Sequence, residues 1–355
     1  MLSRSRFATL ILALLVSPAV CPVRVRAQAP PPLAASPDAA HPRSITLDVV
    51  VKGRSGPPVP GLQQRDFTLL DNKTPRAITS FRAVGGSTDP VEVTLVVDAV
   101  NTSFQVVASE REQIGRFLRA NEGRLPQPTS LAIFTDAGMQ VQQSATTDGN
   151  ALAASLEHAD IGLRDIRRSS GIYGADERTQ LSLSALTQLI TRLSSRPGRK
   201  IVLWVSPGWP LLSGPAIQLT SNQQRQIFGD VVSFSTRLRQ AHVRLYATSP
   251  IGAVESVSRS MYYESFLKGV TKPEQTDIAD LSLQVLAVQS GGLALNGSND
   301  VGQYMKDIYQ EASASYELTF DPAPADHANE FHSLELQVDR PGLTARTNQG
   351  YYAQP

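Results

Sequence analysis

Asp98 closes the run Val-Glu-Val-Thr-Leu-Val-Val that starts at Val91, and Ala-Val-Asn-Thr-Ser follows it. An apolar run of this kind predicts a buried parallel strand, and ligands of open α/β sheets collect beyond the carboxyl ends of such strands. A carboxylate in that place must be paired, hydrogen-bonded or metal-bound. Ser206 ends a second run, KIVLWV, but SPGWP lacks the Gly-x-Ser-x-Gly elbow of a hydrolase serine. The histidines (41, 158, 242, 327 and 332) form no HExxH or His-x-His pair, and there is no P-loop. Trp209, Tyr262 and Tyr263 lie in long connections, and aromatic side chains are enriched at interfaces. Arg164, Arg167 and Arg168 form a basic cluster, read as a solvated segment or as the rim of a binding surface.

The elements that must position these residues follow from periodicity. From Val91 to about Ser313, short apolar runs (VEVTLVV, SLAIFT, MQVQQS, KIVLWV, HVRLYA, GLALN) alternate with helical stretches. The helical stretches cover 104–120, 149–159, 178–193, 222–241, 277–289 and 300–312, the first with Phe104, Val107, Ile114, Phe117 and Leu118 on one face. This alternation predicts an α/β fold, a doubly wound Rossmann-like sheet with helices on both sides. Only Asp136-Ala137-Gly138 separates SLAIFT from MQVQQS, so these two form a hairpin and one runs antiparallel. Three alternating strands precede this region and three follow it, and they are expected to complete one β-sandwich around the inserted domain. The expected organisation is 1–27 signal peptide, 28–42 Pro/Ala-rich spacer, 43–86 and 314–355 the two halves of the sandwich, and 87–313 the α/β domain. The connections 160–177, 206–221 and 249–276 are long and are expected at the edge that carries Asp98.

The chain has 355 residues with 33 basic and 32 acidic side chains. Its first residues place Arg4 and Arg6 before an apolar stretch and Val25-Arg26-Ala27 after it, the order of a secretory signal peptide. Loss of that segment lowers the basic count from 33 to 29 against 32 acids, which removes the electrostatic case for nucleic acid. Cys21, the only cysteine, lies within the expected signal, so the exported chain has no disulfide. No later stretch is long and apolar enough to span a membrane.

The chain resembles the VWFA-related proteins described from Acidobacteria, a family with von Willebrand factor type A-like (VWA) domains. The resemblance is carried by 45–81, VTLVVDAVNTS (93–103), GRKIVLWVSPGWP (198–210), VRLYATSPIG (243–252), QSGGLALNGSND (289–300) and RPGLTARTNQGYY (340–352). Such domains bind Mg²⁺ or Mn²⁺ at a metal-ion-dependent adhesion site built from Asp-x-Ser-x-Ser, a distant Thr and a strand-end Asp. Here Asp98 matches the first acid, Val100 replaces the first Ser, Thr102 stands for the second, Thr179 is the counterpart of the distant Thr, and Ser206 replaces the strand-end Asp. The resemblance therefore implies a degenerate site, with no cofactor or a weakly bound Mg²⁺ or Mn²⁺. The preferred reading is an exported, non-enzymatic module that binds a protein or surface polymer through the loops around Asp98, with the aromatic residues of the long connections, Trp209, Tyr262 and Tyr263, as anchors. The alternatives are a structural component of a periplasmic or cell-surface assembly with an inert site, and an exported hydrolase. The exported form is expected to begin at Gln28, because Val25 and Ala27 are the small residues a signal peptidase reads. Intact-mass and N-terminal analysis checks this, and a start at a lipidated Cys21 would contradict it.

Overall fold

The structure is a computed structural model that describes residues 44–85, 91–159, 161, 171–210, 218–251 and 263–355. The expected signal and spacer, Arg164, Arg167, Arg168 and Tyr262 lie outside the described residues. Strands β1 (Ile45–Lys52), β2 (Phe67–Asp71), β3 (Thr74–Arg76) and β4 (Ile78–Gly85) come first. The middle of the chain holds β5 (Glu92–Asp98), α1 (Phe104–Arg119), β6 (Arg124–Thr135), β7 (Gly138–Val141), β8 (Thr146–Asp148), α2 (Gly149–His158), α3 (Ile172–Ser194), β9 (Lys200–Val205), α4 (Ser221–Gln240), β10 (Val243–Thr248), α5 (Leu283–Gln289), β11 (Ala294–Leu295) and α6 (Val301–Glu311). The last strands are β12 (Ala314–Phe320), β13 (Glu330–Val338), β14 (Thr344–Arg346) and β15 (Gly350–Ala353).

The central sheet runs β11-β10-β9-β5-β6-β7, with β8 also on β6. Its first five strands are parallel, while β7 and β8 are antiparallel to β6. The continuous apolar runs of β5, β9 and β10 are buried along their length because both faces are covered. One face packs on α3, α4 and α5 through Leu186, Leu189, Val231, Phe234 and Leu286. The other packs on α1, α2 and α6 through Val107, Ile114, Leu152, Met305 and Ile308. Caps define where the helices begin. Asp148 accepts from Ala151 N at 3.0 Å at the start of α2, and Thr220 and Gln223 form a reciprocal capping box before α4.

Strands from the two ends of the chain share two four-stranded antiparallel sheets, ordered β14-β1-β12-β4 and β15-β13-β2-β3. In the first, Ile45 to Val49 pair with Phe320 to Tyr316; in the second, Phe67 to Asp71 pair with Val338 to Leu334. Leu47, Val49 and Tyr316 from one sheet and Phe67, Leu69 and Tyr351 from the other belong to a single buried cluster. The flanks contain more strands than periodicity predicts. PRAITSF divides between β3, which pairs with β2, and β4, which pairs with β12. At the other end β15 adds a strand, and β8 is an addition to the central sheet. The helix expected at 178–193 begins earlier, at Ile172. The one expected at 277–289 is broken by Ser282, whose extended backbone (φ −66°, ψ 150°) separates a 3-10 turn from α5.

An ion network links the flanking sheets to the central unit. Glu311 at the end of α6 accepts from Tyr246 on β10 at 2.6 Å, pairs with Arg346 of β14, and meets Lys52 of β1 at 3.2 Å. Removal of residues 315–355 takes β12 and β14 from β1 and β13 from β2, which keeps only the short β3 hairpin, so amide hydrogen exchange of 45–51 and 67–69 is expected to accelerate toward the rate of unstructured chain. Unchanged protection of those strands would contradict their dependence on the C-terminal segment.

Candidate functional site

The sheet changes its direction of winding between β5 and β9. After β5 the chain moves outward to β6 and β7, then returns to the opposite side for β9, β10 and β11. A crevice forms beyond the carboxyl ends of strands at such a switch point, and Asp98 is the last residue of β5.

The Asp98 side chain is fully buried. Its Oδ1 accepts from the backbone N–H groups of Val100 and Asn101, each at 2.9 Å. Its Oδ2 accepts from Asn101 Nδ2 at 2.9 Å and from the indole Nε1 of Trp204 at 3.0 Å. Burial pushes the Asp98 carboxyl above its ordinary range, and hydrogen bonds from Asn101, Trp204 and Ser206 offset part of that effect. Asn101 Nδ2 also donates to Ser182 Oγ of α3 at 3.0 Å, which ties the β5–α1 loop to that helix.

Thr102 is buried in the same loop. Thr179 stands almost one turn before Ser182, and its hydroxyl donates to Ala175 O at 3.0 Å and Pro210 O at 3.4 Å. Ser182, which periodicity did not single out, is thus the α3 residue that reaches the Asp98 shell. After β9, Ser206 N donates to Thr248 O at 2.9 Å, and the Ser206 hydroxyl accepts from Gly208 N at 3.1 Å. Gly208 has φ +103°, and a Cβ there would lie 2.2 Å from Gln284 Nε2, so this turn requires glycine.

Two of the expected anchors belong to the interior. Trp209 is 2% exposed and meets Trp204 edge to face, with ring centroids 5.5 Å apart. Tyr263 is 6% exposed, and its hydroxyl accepts from Asn296 Nδ2 at 3.3 Å. Large aromatic rings in these connections fill the space between the loops and the sheet, which removes them as exposed contacts. The large apolar side chains that do face solvent among the described residues are Phe104 (60% exposed) and Tyr173 (81% exposed). Both lie in the first turn of a helix, α1 and α3. Tyr173 is nine residues before Ser182, which carries it about 13 Å along α3 beyond the Asp98 shell.

Glu110 is the second buried acid of this region. It is 0% exposed, lies on the core face of α1, and neither carboxylate oxygen has a hydrogen-bond partner among the described residues. Burial raises its carboxyl well above the ordinary value of 4.5, and the charge of Asp98 raises it further. A raised carboxyl holds its proton in the folded state after the unfolded chain has lost it, so this group's contribution falls as pH rises above about 4.5. Glu110→Met is therefore expected to stabilise the protein at pH 7, by about 1–3 kcal/mol for removal of an unpartnered buried polar group. The gain should narrow toward pH 4; urea unfolding at both pH values measures it, and an equal gain at both would contradict the assignment.

No family model matches the chain, and no curated protein matches it. Among solved structures it is similar to proximal thread matrix protein 1 from the mussel byssus, at 12% identity and a TM-score of 0.38, over 68% of this chain and 51% of that one. It thus spans about half the length of that protein. It is also similar to the manganese-loaded Plasmodium vivax TRAP protein, at 9% identity and a TM-score of 0.32, over 77% of this chain and 99% of that one. Likenesses of this size carry no functional assignment.

Proposed function

We propose that the chain is an exported, non-enzymatic VWA-type module that binds a protein or surface polymer at the switch-point edge, its flanking sheets forming a β-sandwich that carries the inserted domain. The observation that carries this reading is the shell of Asp98 at that edge. Its two carboxylate oxygens accept four N–H groups at 2.9 to 3.0 Å. An N–H donor occupies the direction from which a cation would coordinate, and Mg²⁺ requires near-octahedral oxygen ligation. Val100 offers no ligand, and Thr179 directs its hydroxyl at backbone carbonyls. These residues do not fit a divalent cation. Asp98 instead serves as the acceptor that folds the β5–α1 loop onto β9.

Recognition then falls to side chains that reach solvent at this edge, and Phe104 and Tyr173 replace Trp209 and Tyr263 as its apolar contacts. Calorimetric titration with Mg²⁺ and Mn²⁺ is expected to give no saturable heat; tight binding lost in Asp98→Ala would overturn the cation-free reading. Crosslinking and affinity capture from the native envelope supply the partner. Against it, Phe104→Ser and Tyr173→Ser should each weaken binding by about 2 kcal/mol, ~30-fold, with thermal unfolding nearly unchanged. Unaltered affinity in both variants would move the binding surface to the flanking sheets and favour a structural component with an inert edge.

A further inference from the structure

Asp280 is a third buried acid, outside the Asp98 shell. It lies in the 3-10 turn Ile278–Leu281 that precedes α5, packs on α4 and α5, and is 1% exposed. Its Oδ2 accepts from Asp277 N at 2.8 Å, while Asp277 Oδ1 accepts from Ala279 N at 3.0 Å. These reciprocal bonds close the turn.

The groups around Asp280 give it no counter-charge. Asp277 faces it from the same turn with a like charge, and Tyr352 faces it from β15 with a hydroxyl that donates to Val270 O at 3.1 Å. α5 carries no charged residue, and among the described residues no cation of α4 bears on Asp280. A carboxylate buried in this way is costly to ionise. Burial raises the Asp280 carboxyl from 3.8 to about 7; the Asp277 N–H offsets part of the rise and the Asp277 charge adds to it.

The turn is also joined to the carboxyl edge. Ser282 has extended backbone between the turn and α5, and two residues later Gln284 Nε2 donates to Pro207 O at 3.2 Å. Pro207 lies in the turn after β9 that leads to Trp209, and Trp209 meets Trp204, the indole donor to Asp98. Leu281, Leu283 and both tryptophans belong to one buried cluster.

We propose that the Asp280 turn is a proton-operated latch on the carboxyl edge, closed while Asp280 is protonated and opened when that carboxyl ionises, which releases the Gln284 brace beneath the β9 turn. Opening gives the carboxylate water in place of a like-charged neighbour. The device does not depend on what the edge binds, and so goes beyond the binding role proposed above.

Trp204 and Trp209 are the only tryptophans of the chain, so its intrinsic emission reads this edge. From about pH 5 to about pH 9 the emission of the full chain is expected to red-shift through a one-proton transition near pH 7. Asp280→Asn keeps an acceptor for Asp277 N and has no proton to lose, so it should hold the acid-form spectrum throughout. Gln284→Ala, which lacks the brace, should show the red-shifted emission already at acid pH. Thermal unfolding gives an independent readout. The folded chain holds the Asp280 proton between pH 3.8 and about 7 after the unfolded chain has lost it, so stability falls as pH rises through that window. The Tm advantage of Asp280→Asn should therefore grow across the window and level off above it, reaching on the order of 5 °C. Emission that does not change with pH, a transition that survives in Asp280→Asn, an unshifted spectrum in Gln284→Ala, or a Tm difference that stays flat would each overturn the latch.

Discussion

The pairing of β1 with β12 is the constraint on which the rest of the structure depends. Ile45 to Val49 lie opposite Phe320 to Tyr316, so more than two-thirds of the chain must leave one flanking sheet and return to it. Closing so long a connection has an entropic cost that grows only slowly with length. It is offset by two mixed-origin sheets that share one apolar cluster and by the Glu311 network beneath them. Neither end of the chain has a complete sheet of its own. Folding of the flanks therefore requires that the central unit bring its own ends together.

Within that unit the two edges of the parallel sheet have opposite electrostatic characters. At the carboxyl edge, Asp98 and Glu110 are buried and shifted toward their neutral forms by desolvation. At the amino edge, Arg199, Lys200 and Arg244 are buried in the neighbourhood of Asp48. The first edge resolves its charge with backbone and indole N–H donors, which fix a loop geometry. The second joins surfaces contributed by the flanking and central sheets, and there Nε and Nη2 of Arg244 have no hydrogen-bond partner among the described residues.

Much of this was legible in the residues. The apolar run ended by Asp98 identifies β5 and its edge, and the three-residue gap after SLAIFT identifies the β6–β7 hairpin. What was not legible depends on tertiary packing. Phe104 fits the apolar stripe of α1, yet it is exposed, and Glu110, spaced three and four residues from Val107 and Ile114, occupies the stripe instead. A charged residue at that spacing was the available signal. Trp209 reads as a loop aromatic because nothing local reveals that Trp204 projects toward it from β9. Ser182 was hidden for a related reason, since its contact with Asn101 spans 81 residues.

The place where the central unit joins the flanks has a mechanical consequence. Gly85, the last residue of β4, lies opposite Ala314, the first of β12, and approaches so closely that a Cβ there would be 2.7 Å from Ser313 O. Beside this pinched crossing, the central unit is also fastened to the flanking strands by the Glu311 network and by the Asp48–His242 contact. A tensile load on the two ends of the folded chain falls first on the hydrogen-bonded strands of the flanking sheets, and part of it reaches the central unit directly, because Tyr352 of β15 packs on Phe228 of α4 and donates to Val270 O.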